Sequence, residues 1–118
     1  HGEYVAHLAK YCGCSDECLI LTLVYVDRII KQHRDIAMAP LTCQRLLGAG
    51  LTMAVKFHDD QNYTNAYYAQ VCGLELLELN NLEVTMLRLL KHRLFVRPEE
   101  FEVYRAMLLQ PGGVRGHA

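Results

Sequence analysis

Residues 46–57 read LLGAGLTMAVKF, and every position except Lys56 is apolar, small or a threonine. A helix of that composition has no polar side to turn toward water, so it belongs at the centre of a bundle. Gly48 and Gly50 each cost about 1 kcal/mol of helix propensity, an expense that makes sense where a neighbouring backbone approaches closely. Lys56 is the exception to the pattern. A second stretch, LLELNNLEVTMLRLL at 76–90, puts Leu79, Glu83, Met86 and Leu90 on one helical face, with Glu83 breaking the stripe. A charge beside an apolar stripe needs a partner, and none lies nearby in sequence for either residue.

Outward from this centre the chain reads as helix throughout. Residues 3–12 carry Val5, Leu8, Ala9 and Cys12 at helical spacing, and Gly13 ends that run. Ser15 is an N-cap followed by Asp16 and Glu17 in a negative first turn, and the helix they open runs to about residue 34. Its apolar positions, Leu19, Leu23, Val26 and Ile30 with Ile20, Leu21 and Val24 beside them, predict burial on most sides. A loop over 35–41 holds Pro40, and Thr42 is the expected cap of the central helix over 43–57. After a loop at 58–63, Thr64 or Asn65 opens a short helix to Val71 or Cys72, which Gly73 closes at C′. A helix over about 75–91 follows, and Pro98 takes the first position of a last helix to about Gln110. Pro111, Gly112 and Gly113 stop it, leaving a tail at 111–118 expected to be mobile. No strand alternation, repeat or low-complexity segment interrupts this order.

The chain has 118 residues, of which 52% are hydrophobic and 21% charged, so one domain with one core is expected. The longest apolar run, CLILTLVYV at 18–26, is too short to span a bilayer and stops at Asp27. Twelve basic against thirteen acidic residues give a net charge of −1, which lacks the footprint of a non-specific nucleic-acid binder. Five cysteines, an odd number set mostly in apolar helical patterns, fit a reducing compartment. The group Cys12, Cys14 and Cys18 has the ligand chemistry for zinc, with His7 as a fourth donor, but not the paired spacing of zinc knuckles. Three reduced thiols acting as small hydrophobes are the expectation.

Other polar residues offer little chemistry. Asp59 and Asp60 are adjacent loop carboxylates that point apart and are expected to be solvated. Tyr63, Tyr67 and Tyr68 are expected to pack in the core, since no basic residue lies between them to make a base-stacking platform. His7, His33, His58 and His92 are scattered. No nucleophile with a base, phosphate-cradling loop or paired ligand set is present, so an enzyme reading finds no support.

Four segments in register carry a resemblance: YVDRI at 25–29 with its two flanking helical runs, AVKF at 54–57, NAYYAQV at 65–71 and LNNLE at 79–83. Over roughly residues 3–104 the chain resembles the cyclin box, in the branch of the yeast phosphate-pathway cyclin and the plant P- and U-type cyclins. The resemblance implies an all-α, five-helix box with a central third helix, plus a short C-terminal helix, in a single domain over 1–118. It implies a regulatory subunit that binds and activates a cyclin-dependent kinase, is not itself catalytic, and takes no cofactor, metal, nucleic acid, membrane or small-molecule substrate. An intracellular protein of the nucleus, the cytoplasm or both is expected. In that family a lysine closing the third helix and a glutamate in the fifth hydrogen-bond the kinase around its C-helix; here those positions are Lys56 and Glu83. Thr52, Met53, Leu79 and Met86, on the same faces, are the expected contact surface beside them, and Asp27 and Arg28 an expected structural pair. The substrate-docking motif of cell-cycle cyclins would fall at or before His1. The alternatives are a transcription adaptor of the TFIIB type, which wants a basic face and a second repeat, and a helical scaffold without a kinase.

Overall fold

A computed structural model describes residues 14–36, 39–59 and 63–109. Five helices lie among them: α1 (Asp16–Gln32), α2 (Pro40–His58), α3 (Asn65–Cys72), α4 (Leu76–Leu89) and α5 (Pro98–Leu109). The helix expected at 3–12, the ligand group that includes Cys12 and His7, Asp60, and the tail at 111–118 lie outside the described residues.

α2 is the centre. All ten residues from 46 to 55 are buried, and the helix packs against α1, α3 and α4, while α5 docks on α1. The close approach at the small residues is made by side chains, not by the backbone expected from sequence. A β-carbon on Gly50 would meet the Thr22 methyl at 3.3 Å, with Val26 and Met86 at 3.5 Å. Two threonines are buried with the apolar core, and each satisfies its hydroxyl inside its own helix: Thr22 donates to Cys18 O at 2.7 Å and Thr52 to Gly48 O at 2.8 Å.

The local signals fix the helix ends. Ser15 caps α1, its hydroxyl accepting from Cys18 N at 3.3 Å and donating to Asp59 Oδ1 at 3.0 Å. Asp59 is therefore not solvated as expected; it ties the end of α2 to the start of α1. Thr64 caps α3 by accepting from Tyr67 N, and Gly73 closes it in the left-handed conformation at φ 74°. The start of α2 departs from expectation. The helix begins at Pro40, not after a Thr42 cap, because proline needs no N–H partner and its ring presets φ for a first turn. Ala39 occupies the N-cap without a side-chain bond.

Candidate functional site

Lys56 and Glu83 meet. Lys56 stands in the last turn of α2 and Glu83 midway along α4, and the packing of those helices brings the ammonium to 3.1 Å and 3.3 Å from the two carboxylate oxygens. Each charge is the partner that the other lacked in sequence. A third element closes the group: Asn65, first residue of α3, donates its carboxamide to Glu83 Oε1 at 2.8 Å and to Asn80 Oδ1 at 2.7 Å. The Glu83 side chain is only 13% exposed, while Lys56 is 40% exposed. An ammonium carries three donors and a carboxylate about four acceptor sites. The pair thus satisfies itself inside the chain and still presents unused donors and lone pairs at the surface.

The contact surface expected around the pair is largely covered in the free chain. Thr52, Met53, Leu79 and Met86 are between 0% and 4% exposed. Helical spacing put them near the two charges, but the stripe they form is the seam where α2 and α4 pack, and it faces inward. In the free chain these four lie beneath the pair. The large apolar side chains exposed on the same elements are Leu41 and Phe57 on α2, the latter one residue past the lysine, and Leu76, Leu77 and Val84 on α4. Tyr63, expected in the core, also lies outside, stacked on Tyr67 at 4.5 Å. Of the three tyrosines only Tyr68 is fully buried, its hydroxyl accepting from Tyr63 N at 2.9 Å.

Asp27 and Arg28 tie α1 to α5. The Arg28 guanidinium donates to Glu100 of α5 at 2.7 Å and to the carbonyls of Arg93 and Phe95, so one side chain pins the α4–α5 connector. Asp27 accepts from the Tyr104 hydroxyl and pairs with Lys31 at 2.9 Å. Burial works against its charge, yet the bonds from Tyr104 and Lys31 prevail and hold the carboxyl below the usual aspartate range. Beside them Tyr25, wholly buried, donates to Leu94 O at 2.8 Å. With that proton committed, His58 must be the donor in its 3.0 Å contact with the same hydroxyl. This fixes the neutral ring as the Nε2–H tautomer.

Burial pushes the Cys18 thiol up to about 12, and its sulfur lies 3.5 Å from Ala54 O in the core. Cys14, Cys43 and Cys72 form no disulfide, and no cluster of three or more potential metal ligands lies among the described residues. No described helix is long and apolar enough to cross a membrane.

The family model for cyclins matches residues 2–94, which takes in α1 through α4 and both charges. The chain belongs to the cyclin family. It is 36% identical over 107 residues to Cyclin-P4-1 of Oryza sativa subsp. japonica, covering 91% of this chain and 50% of that protein. Similar matches are Cyclin-U4-1 of Arabidopsis thaliana, 36% over 106 residues with 90% and 52% covered, and PHO85 cyclin-like protein psl1 of Schizosaccharomyces pombe, 36% over 107 residues with 90% and 44% covered. The chain spans about half the length of the curated relatives it matches. These relatives set it among the P- and U-type cyclins of plants and the PHO85 cyclins of yeasts. The five described helices are the all-α architecture of a cyclin box with a further helix, α5, beyond the matched span. Within this cyclin the residue that sequence reading missed is Asn65. Its partners lie 15 and 18 positions away, and its place after a threonine cap pointed only to a helix start.

Proposed function

We propose that this cyclin box is the kinase-binding unit of a regulatory subunit, non-catalytic itself, that activates a cyclin-dependent kinase in the nucleus, the cytoplasm or both. The observation that carries the reading is the Lys56–Glu83 pair: an ion pair braced from three helices, with one partner 40% exposed, at the end of the buried central helix. Such a group offers a kinase helix a rigid set of charge-assisted bonds, worth about 1.5–3 kcal/mol each, with exposed Phe57 and Val84 supplying apolar area nearby. Docked there, the kinase C-helix is pressed inward, which completes the Lys–Glu ion pair that aligns ATP and favours an open activation loop. Residues 1–118 act in this reading as one domain. The test is purification of the tagged chain from a cell extract followed by mass spectrometry and a kinase assay on the eluate. Recovery of an active cyclin-dependent kinase is expected; recovery of a polymerase or promoter complex, or of no kinase, would overturn the reading.

A further inference from the structure

Asn65 spends both hydrogens of its amide nitrogen on α4. One goes to Glu83 Oε1 at 2.8 Å and the other to Asn80 Oδ1 at 2.7 Å. Asn80 and Glu83 stand three positions apart, where side chains of a helix share a face, so one carboxamide from α3 spans both. Its orientation follows from its partner: an ionised carboxylate only accepts, and the nitrogen must therefore face Glu83. The backbone that carries it is fixed as well. Thr64 caps the helix that Asn65 opens, its hydroxyl accepting from Tyr67 N at 3.2 Å.

The two donors on Glu83 are held unequally. Lys56 lies 3.1 Å and 3.3 Å from the carboxylate oxygens, looser than a close charge-assisted bond of about 2.7–2.9 Å. Its side chain is 40% exposed, on a flexible four-carbon stem that can redirect three donors. Asn65 is nearer and shorter, and its second hydrogen is tied to Asn80. Glu83 is only 13% exposed, so water replaces a lost donor poorly and a carboxylate stranded there is costly. When Lys56 turns toward another molecule, the bond from Asn65 stays on Glu83.

We propose that Asn65 is the positioning residue of the kinase-binding pair, holding the Glu83 carboxylate in place and satisfied while Lys56 swings its ammonium to an acceptor on the kinase. This rests on the kinase reading above. A purely structural Asn65 would serve the free and the docked chain alike. In the proposed role its loss is felt mainly in the docked chain, because in the free chain Lys56 remains on Glu83.

The test compares Asn65→Ala, Asn65→Asp and Lys56→Met in the 118-residue chain. Denaturant midpoints are read first; then cyclin-dependent kinase activity is captured from cell extract at pH 7.5 and 5.5, at matched folded concentration, and assayed at pH 7.5. Lys56→Met is expected to lose capture about tenfold and reports on the kinase reading alone. Asn65→Ala is expected to keep a midpoint close to that of the wild type and to lose capture about tenfold. Asn65→Asp preserves the shape of the side chain at a first helical position that favours an acid, so helix content is expected to hold. It sets a second carboxylate against Glu83, with Lys56 of α2 the charged group both face, and capture at pH 7.5 is expected to fall at least as far. Adjacent carboxyls share a proton as pH falls, which returns a donor to the bridge, so the loss relative to the wild type is expected to shrink at pH 5.5. Wild-type capture by Asn65→Ala beside a loss in Lys56→Met would overturn the proposal and leave the kinase reading standing, as would an Asn65→Asp loss equal at both pH values. Wild-type capture by Lys56→Met would overturn both.

Discussion

Glu83 accepts from Lys56 and Asn65 while its side chain is almost covered, and this makes the two charges unequal as sites for substitution. Lys56→Glu sets two carboxylates together at a half-exposed position and is expected to cost about 1 kcal/mol. Glu83→Lys leaves Asn65 Nδ2 facing an ammonium next to Lys56 in a more enclosed place, and about 2 kcal/mol is expected. The exchange Lys56→Glu/Glu83→Lys rebuilds the ion pair with its sign inverted and, with the Asn65 carboxamide turned to offer its oxygen to the new ammonium, should recover most of either loss, as denaturant midpoints will report. His58 provides a separate handle. Burial lowers its pKa, against the pull of Asp59, so the folded chain resists protonating it while the unfolded chain takes the proton near pH 6.5. Stability from this group is present above that pH and declines as pH falls below it. Urea unfolding at pH 7.5 and 5.5 should show a drop that is smaller in His58→Gln. The two charges were legible in sequence because an apolar frame isolates them. Asn65 was not, and neither was the role of Asp59, because a polar loop residue gives no sign of which distant cap or carboxylate it will meet.

The helices follow their local chemistry except where packing supplies what the sequence does not print. Ser15 and Asp59 form one cap shared between α1 and the end of α2, so Ser15→Ala should cost about 1 kcal/mol, read as a lower melting midpoint. Gly50 is hemmed in by Thr22, Val26 and Met86, and Gly50→Val should overpack the α1–α2–α4 junction at a cost of about 1–3 kcal/mol. A melting temperature equal to that of the wild type would show that the junction can yield. Periodicity placed α4 and its inward stripe correctly but could not say which flank of that stripe is outward. Leu79 and Met86 therefore looked like surface residues beside Glu83, although they are the seam with α2. The start of α2 was misplaced for a simpler reason: Thr42 is a good cap by residue type, but Pro40 opens a helix earlier at no hydrogen-bond cost.

At the scale of the molecule, an all-α bundle was legible from helical spacing along the chain and its apolar central helix from residues 46–57, ten of which are buried in succession. The proposed kinase docking was not legible from that pattern; the proposal rests on family membership and on the ion pair displayed at the edge of α2 and α4. The central claim is that the Lys56–Glu83 face holds a kinase and does more than brace the fold. The most direct measurement is capture of cyclin-dependent kinase activity from extract by the wild-type chain and by the Lys56→Glu/Glu83→Lys exchange, at matched folded concentration. The account predicts that the exchange, with its internal pair restored and its denaturant midpoint near that of the wild type, loses kinase capture about tenfold or more. Capture at the wild-type level by the exchanged chain would contradict it, because the pair would then matter only to itself.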